Sequence, residues 1–174
     1  MKDEKNGQKR KNIPLIVLVI AGLALGILLK MFVIDIERIS GTSMEPCLHD
    51  GSLVVMSKIH YGLNNPAGFT LLAQWKEPEK GDIVYFWIND RPVVKRCVAT
   101  EHETLVFSSD SGYSMSVGGI TIPLTEGQYQ RLKYSEEVPE GTILAIGDNY
   151  ASSVDSRDYG FVRVDSIMGK VLWR

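Results

Sequence analysis

The first strong feature of the chain is an apolar run from Ile13 to Ile34, 22 residues whose only charge is Lys30 near its outer end. At about 1.5 Å per residue it spans about 33 Å as a helix, enough for a hydrocarbon core of about 30 Å. Pro14 falls in the first turn, where its missing N–H costs nothing. Beyond the run the pattern changes to short apolar stretches rich in Val, Ile and aromatics: 53–57, 82–88, 93–99, 104–107, 120–124, 142–146 and 167–173. Gly81, Asn89-Asp90, Gly118-Gly119, Pro139-Glu140-Gly141 and Gly147-Asp148 separate them, as turn residues separate strands. Ile83 to Ile88 is apolar on both alternating faces, so a central, doubly covered strand is expected there. The pattern predicts a mostly β fold of folded antiparallel sheets or a partly open barrel, preceded by one transmembrane helix. Its one further helix candidate is Gln128 to Tyr134.

Charge orients this arrangement. Lys2, Lys5, Lys9, Arg10 and Lys11 precede the span, whereas Asp35 and Glu37 follow it. The positive-inside bias therefore predicts a cytoplasmic tail over 1–12, an anchor over 13–34 and one extracytoplasmic domain over 35–174. A cleaved signal peptide has a similar outline, but the apolar run is too long for one and no small-x-small cleavage site follows it. Outside the first 34 residues, 13 Lys and Arg stand against 19 Asp and Glu, a balance of −6 that argues against nucleic acid as a partner. Cys47 and Cys97 are the only cysteines, and spacing does not say whether they pair; two small buried thiols are the expectation. His49, His60 and His102 form no recognisable triad or metal-ligand spacing, so surface or turn roles are expected and neither metal nor cofactor is implied.

Two segments suggest chemistry. Ser40-Gly41-Thr42-Ser43-Met44-Glu45-Pro46 places a serine in a glycine-containing turn nine residues beyond the span, the position of a nucleophile held above the lipid. Around Lys95, residues two apart share a face: Val93, Lys95 and Cys97 point one way, Val94, Arg96 and Val98 the other. A lysine flanked by apolar neighbours loses hydration, which disfavours its ammonium form, and the neutral amine can act as a base. Taken alone, Lys95 and Arg96 read equally well as a solvated pair on an edge strand.

The order of several blocks changes that balance. Gly41 to Pro46 is followed by Gly81-Asp82-Ile83-Val84-Tyr85-Phe86, Val94-Lys95-Arg96 and Val138-Pro139-Glu140-Gly141. Gly147-Asp148-Asn149, Ser153, Asp155-Ser156-Arg157, Gly160 and Ile167-Met168-Gly169-Lys170 complete the series. Together with the anchor, these resemble the bacterial type I signal peptidases (leader peptidases, peptidase family S26) in their compact, single-span Gram-positive form. The resemblance implies a membrane-bound serine endopeptidase that removes signal peptides from exported preproteins through an acyl-enzyme, cutting after small residues of the Ala-x-Ala type. It implies Ser43 as nucleophile and Lys95 as general base, Ser153 as the hydroxyl that orients the lysine, and Asp155 with Arg157 as a buried pair shaping the loop. Ile39, Met44, Leu48 and Val94 match positions able to floor the substrate pockets. The partners it implies are the signal-peptide region of preproteins, the lipid bilayer and proximity to the secretion translocon; its place is the cytoplasmic membrane, with the N-terminus inside.

The chain departs from the family pattern at Tyr150, usually basic, and at Ala99-Thr100-Glu101-His102-Glu103, which replaces a Gly-rich turn. The accessory region, about 101–141, is short. Gly41 stands where some relatives place a second oxyanion donor, so only the Ser43 N–H is assigned that role. Two other readings share these features: a self-cleaving repressor-type protease with a Ser/Lys pair, for which Ala21-Gly22 and Ala67-Gly68 are candidate bonds, and a noncatalytic membrane scaffold.

Overall fold

A computed structural model describes residues 14–65, 68–110 and 112–173; the basic tail over 1–12, Ile13 and Ala67 lie outside the described residues. The apolar run forms helix α1 (Leu15–Phe32), with a mean hydropathy of 2.7 and no buried residue. Its 18 residues measure about 27 Å, close to the thickness of a bilayer core. The helix ends at Phe32, short of Ile34, the expected end of the anchor, because Ile34 already opens strand β1 (Ile34–Arg38). Ladder pairing takes over at that point: Ile34 faces Ser57 and Arg38 faces Leu53 on β2 (Leu53–Ser57). Local apolarity alone could not separate the last residues of a helix from the first of a strand.

After β2 come a small hairpin, β3 (Gly62–Asn64) and β4 (Leu71–Gln74), and then β5 (Ile83–Ile88) and β6 (Arg91–Thr100). An accessory unit follows, built from β7 (Val106–Ser108), β8 (Ser114–Val117), β9 (Ile120–Pro123) and helix α2 (Glu126–Leu132). The chain returns through β10 (Thr142–Ile146), the single turn α3 (Ser156–Tyr159), β11 (Val162–Arg163) and β12 (Ile167–Trp173). The main sheet is antiparallel, in the order β1-β2-β12-β5-β6-β10-β11. As its pattern predicted, β5 is the central strand. Among the described residues β1 and β11 do not pair, so the sheet stays open. Helix α2 starts two residues before the expected Gln128, because Thr125 and Gln128 exchange hydrogen bonds in a capping box.

Three apolar clusters hold these elements. Val84, Phe86, Cys97, Ile143, Ala145 and Ile167 pack on the central strands. Met115, Val117, Ile122, Leu132 and Val138 join the accessory unit to Leu144 and Ile146. Ile39, Met44, Leu48, Val54, Met56 and Val171 pack beneath the serine turn. Leu48, proposed from the sequence as a pocket residue, is 1% exposed and belongs to this last core. Cys47 and Cys97 are not joined by a disulfide: Cys97 is buried and Cys47 half-buried.

One turn fixes the position of the chemistry. Asn89 and Asp90 both have positive φ, 49° and 59°, the geometry of a tight two-residue hairpin whose twist matches its strands. With Ile88 facing Arg91, the register places Val84 opposite Lys95 and Ile83 opposite Arg96. A β-branched residue resists this backbone region, at a cost of about 1–2 kcal/mol. Asp90→Val is therefore expected to lower stability by about that amount and Asp90→Gly not to, as read by urea unfolding of the full chain in detergent; equal midpoints would contradict the assignment.

Candidate active site

The serine turn and the lysine strand meet at a single contact: Lys95 Nζ lies 2.7 Å from Ser43 Oγ, bridging 52 residues of sequence. Lys95 is only 4% exposed and faces the fully buried Val84 across the ladder. Burial pushes its pKa below the ordinary 10.5. The Asp155 carboxylate opposes that shift, Arg157 reinforces it, and Asp148 opposes it again.

Asp155 would recharge the lysine were it not already neutralised. Its carboxylate caps α3, accepting from the Arg157 backbone N–H at 3.1 Å, and also accepts from Arg157 Nε at 2.8 Å and Nη2 at 2.9 Å. The Gly147 N–H donates to Asp155 Oδ2 at 3.0 Å. Burial raises the Asp155 pKa, but hydrogen bonds from Arg157, with a lesser contribution from Gly147, outweigh it and hold the carboxyl below 3.8. Arg157, itself 2% exposed, donates onward to the carbonyls of Pro123, Tyr150 and Ser153. The pair ties the loop after β10 to the accessory hairpin.

A second pair, which the sequence reading did not assign, braces the other side. Arg96 donates to both carboxylate oxygens of Asp148, at 2.7 and 2.6 Å, to the Gly81 carbonyl at 2.9 Å, and to Cys47 Sγ at 3.1 Å. One guanidinium thus joins the lysine strand, the start of β5, the end of the serine turn and the Gly147-Asp148 loop. Asn149 completes the brace: its backbone N–H donates to the Ser43 carbonyl at 3.0 Å and its side chain to the Thr42 carbonyl at 3.2 Å. The Gly147-Asp148-Asn149 signal was visible in the sequence, but not which atoms it would hold.

Gly147 has a steric reason to be glycine. A Cβ there would collide with Ser153 Oγ and with the Ser43 carbonyl oxygen. Ser153 is buried beside the site, its Oγ close against Gly147 and without a hydrogen-bond partner. Thr42 Oγ1 is committed to Ser152 Oγ at 3.2 Å and the Gly41 N–H to Asp50 Oδ1 at 2.8 Å, so neither points a free donor at Ser43. His49 stands near Glu45 and His102 near Glu137, while His60 packs against Tyr61; none contacts the Ser43–Lys95 pair. Among the described residues no cluster of potential metal ligands occurs.

Ser43 and Lys95 open into a cavity of about 290 Å³ lined by Ile39, Met44, Tyr85, Val93, Val94 and Val154, with Glu37, Arg38 and Arg91 at its rim. Three of the four proposed pocket residues, Ile39, Met44 and Val94, line it; Leu48 does not. Asp155→Asn leaves Arg157 buried without its partner and is expected to cost about 3–5 kcal/mol. Because the Asp155 pKa is lowered on folding, the stabilisation is present above about pH 3.9, the unfolded carboxyl's value, and is lost as pH falls through the lowered folded value. Acid unfolding followed by circular dichroism should show this component in the wild type and not in Asp155→Asn.

The family described as "Signal peptidase, peptidase S26" matches this chain over residues 10–174. Signal peptidase I of Bacillus caldolyticus is 28% identical over 163 residues, covering 84% of this chain and 81% of its own. The probable signal peptidase I-1 of Synechocystis sp. is 26% identical over 185 residues, covering 95% and 81%. Signal peptidase IB of Staphylococcus aureus strain Mu50 is 28% identical over 164 residues, covering 82% and 78%. A crystal structure of a signal peptidase I from Enterococcus faecalis V583 aligns at 25% identity with a TM-score of 0.41, over 56% of this chain and 98% of that one. With the match running through the serine turn, the lysine strand and the loop that braces them, the chain belongs to the signal peptidase family, peptidase S26.

Proposed function

We propose that Ser43 and Lys95 are the catalytic dyad with which this serine endopeptidase removes signal peptides from exported preproteins. The observation that carries the reading is the 2.7 Å contact between a serine hydroxyl and a buried lysine whose pKa is lowered by burial. Neutral Lys95 takes the Ser43 proton as Oγ attacks the scissile carbonyl carbon, giving a tetrahedral oxyanion beside the Ser43 N–H. The lysine ammonium then passes the proton to the departing amine, which becomes the new N-terminus of the mature protein. An ester on Ser43 remains. Lys95 next takes a proton from water, whose oxygen attacks the ester, and the proton returns to Ser43.

The size and lining of the cavity suit small apolar side chains, in keeping with cleavage after Ala-x-Ala sequences. An extended peptide laid along it would present alternate side chains to one face, which would let the first and third residues before the cut be read together. Helix α1 anchors the protein, and the basic residues before it favour a cytoplasmic N-terminus, with the catalytic domain outside and near emerging precursors. Residues 35–174 would act as one extracytoplasmic domain carrying a small accessory unit within 101–141. Ser153, Asp155 and Arg157 would support the dyad without taking part in bond making.

Ser43→Ala should abolish preprotein cleavage by the full chain in detergent while leaving its circular dichroism unchanged. Lys95→Ala should reduce kcat by about 10²–10⁴-fold. Robust turnover by either folded variant would overturn the dyad. The activity should rise with pH along a single ionisation below 10.5 as Lys95 loses its proton. A base ionisation near the histidine value of about 6.5 that survives Lys95 substitution would point to a different base.

A further inference from the structure

Between the anchor and the sheet there is one residue, Val33: α1 ends at Phe32 and β1 begins at Ile34. Lys58, immediately after β2, closes this joint from the other strand. Its backbone N–H donates to the Val33 carbonyl at 2.8 Å, extending the β1–β2 ladder to the end of the helix. Its Nζ forms a 2.5 Å ion pair with Asp35, a residue only 9% exposed, and donates to the Lys30 carbonyl at 3.4 Å. That carbonyl belongs to the last turn of α1, where helical carbonyls lack intrahelical partners and a cation is favoured. Asp35 is held in turn, its Oδ1 accepting from the Ile36 N–H at 2.9 Å. One lysine therefore fastens the helix end, the linker and the first strand together.

Strand β1 runs from this joint straight into Ile39 and the serine turn. Its five residues cover about 17 Å at about 3.4 Å each, so the height of Ser43 over the end of α1 is set by one short, ladder-paired strand and the joint below it. The apolar segment of an inserted precursor is held by the same bilayer. A vertical shift of about 3.4 Å between the two would present the neighbouring peptide bond to Ser43.

We propose that Lys58 is a positioning residue that fixes the exit of α1 to the sheet and thereby sets which bond of a membrane-inserted precursor reaches Ser43. The inference rests on the signal-peptidase reading and adds to it a determinant outside the cavity. A soluble peptide carrying the same cleavage sequence finds its own register and does not feel this constraint.

The test uses the full chain in phospholipid vesicles, with a membrane-inserted preprotein and a soluble peptide spanning the same cut site as parallel substrates. Lys58→Met should lower kcat/KM for the preprotein by about tenfold or more and spread its cleavage over adjacent bonds, while the peptide value stays within about twofold. Lys58→Arg should restore most of the preprotein activity. The double variant Asp35→Asn/Lys58→Met removes the uncompensated carboxylate and should show the same split, which separates positioning from a buried-charge defect. Hydrogen exchange over residues 31–36 should accelerate in Lys58→Met. Equal losses on both substrates, no loss on either, or unchanged exchange at the joint would overturn the proposal. Failure of the wild-type enzyme to cut the preprotein would overturn the functional reading and the consequence for bond choice, while the exchange measurement still reports whether Lys58 holds the joint.

Discussion

Taking Lys95 out of water is the constraint on which the proposed catalytic arrangement depends. An exposed lysine near its ordinary pKa of about 10.4 is protonated at neutral pH and has no lone pair with which to accept a serine proton. Burial moves that preference toward the neutral amine, and neutralisation of the nearby carboxylates keeps them from cancelling the shift. Asp155 and Asp148 both lie close enough to pull the lysine back toward its ammonium form. Each is matched by a guanidinium in bidentate contact, Arg157 for the first and Arg96 for the second. The two arginines thus have a common electrostatic consequence: they let acidic residues brace the loop without restoring the charge that the proposed mechanism has to exclude.

The same contacts carry the mechanical load. The serine turn has no regular secondary structure of its own, so its position relative to β6 comes from outside it. Asn149 holds the Thr42 and Ser43 carbonyls, Arg96 reaches Cys47, and the core below is filled by Met44 and Leu48. Gly147 permits the close approach that brings the loop after β10 against the serine backbone. Polar groups that are fully partnered in this way specify one geometry, since a rotated turn would leave several of them buried and unpaired.

Much of this was legible in the residues. The apolar runs at 53–57, 142–146 and 167–173 coincide with β2, β10 and β12, and the two-sided apolarity of Ile83 to Ile88 placed β5 at the centre. The alternation around Lys95 foretold its desolvation. What escaped was set by distant partners: Gly62 to Asn64 and Leu71 to Gln74 are too short to carry a pattern and become strands only by pairing with each other. Ile34 merged with the apolar run before it. The Arg96–Asp148 pair joins residues 52 apart, and nothing local in either segment announces the other. Ser153 stood in a recognisable motif, yet the close packing of its hydroxyl against Gly147 is visible only in the fold.

The central claim is that burial lowers the Lys95 pKa and so makes its neutral amine accessible as the base, and the direct measurement is its own titration. Nuclear magnetic resonance of the Lys95 side chain, with Nζ and Cε labelled in the detergent-solubilised Ser43→Ala chain, follows that proton without relying on turnover. A midpoint below the lysine value of about 10.4, the direction in which burial acts, is the predicted result. A midpoint at or above that value would mean that Lys95 is charged at working pH and cannot serve as the base.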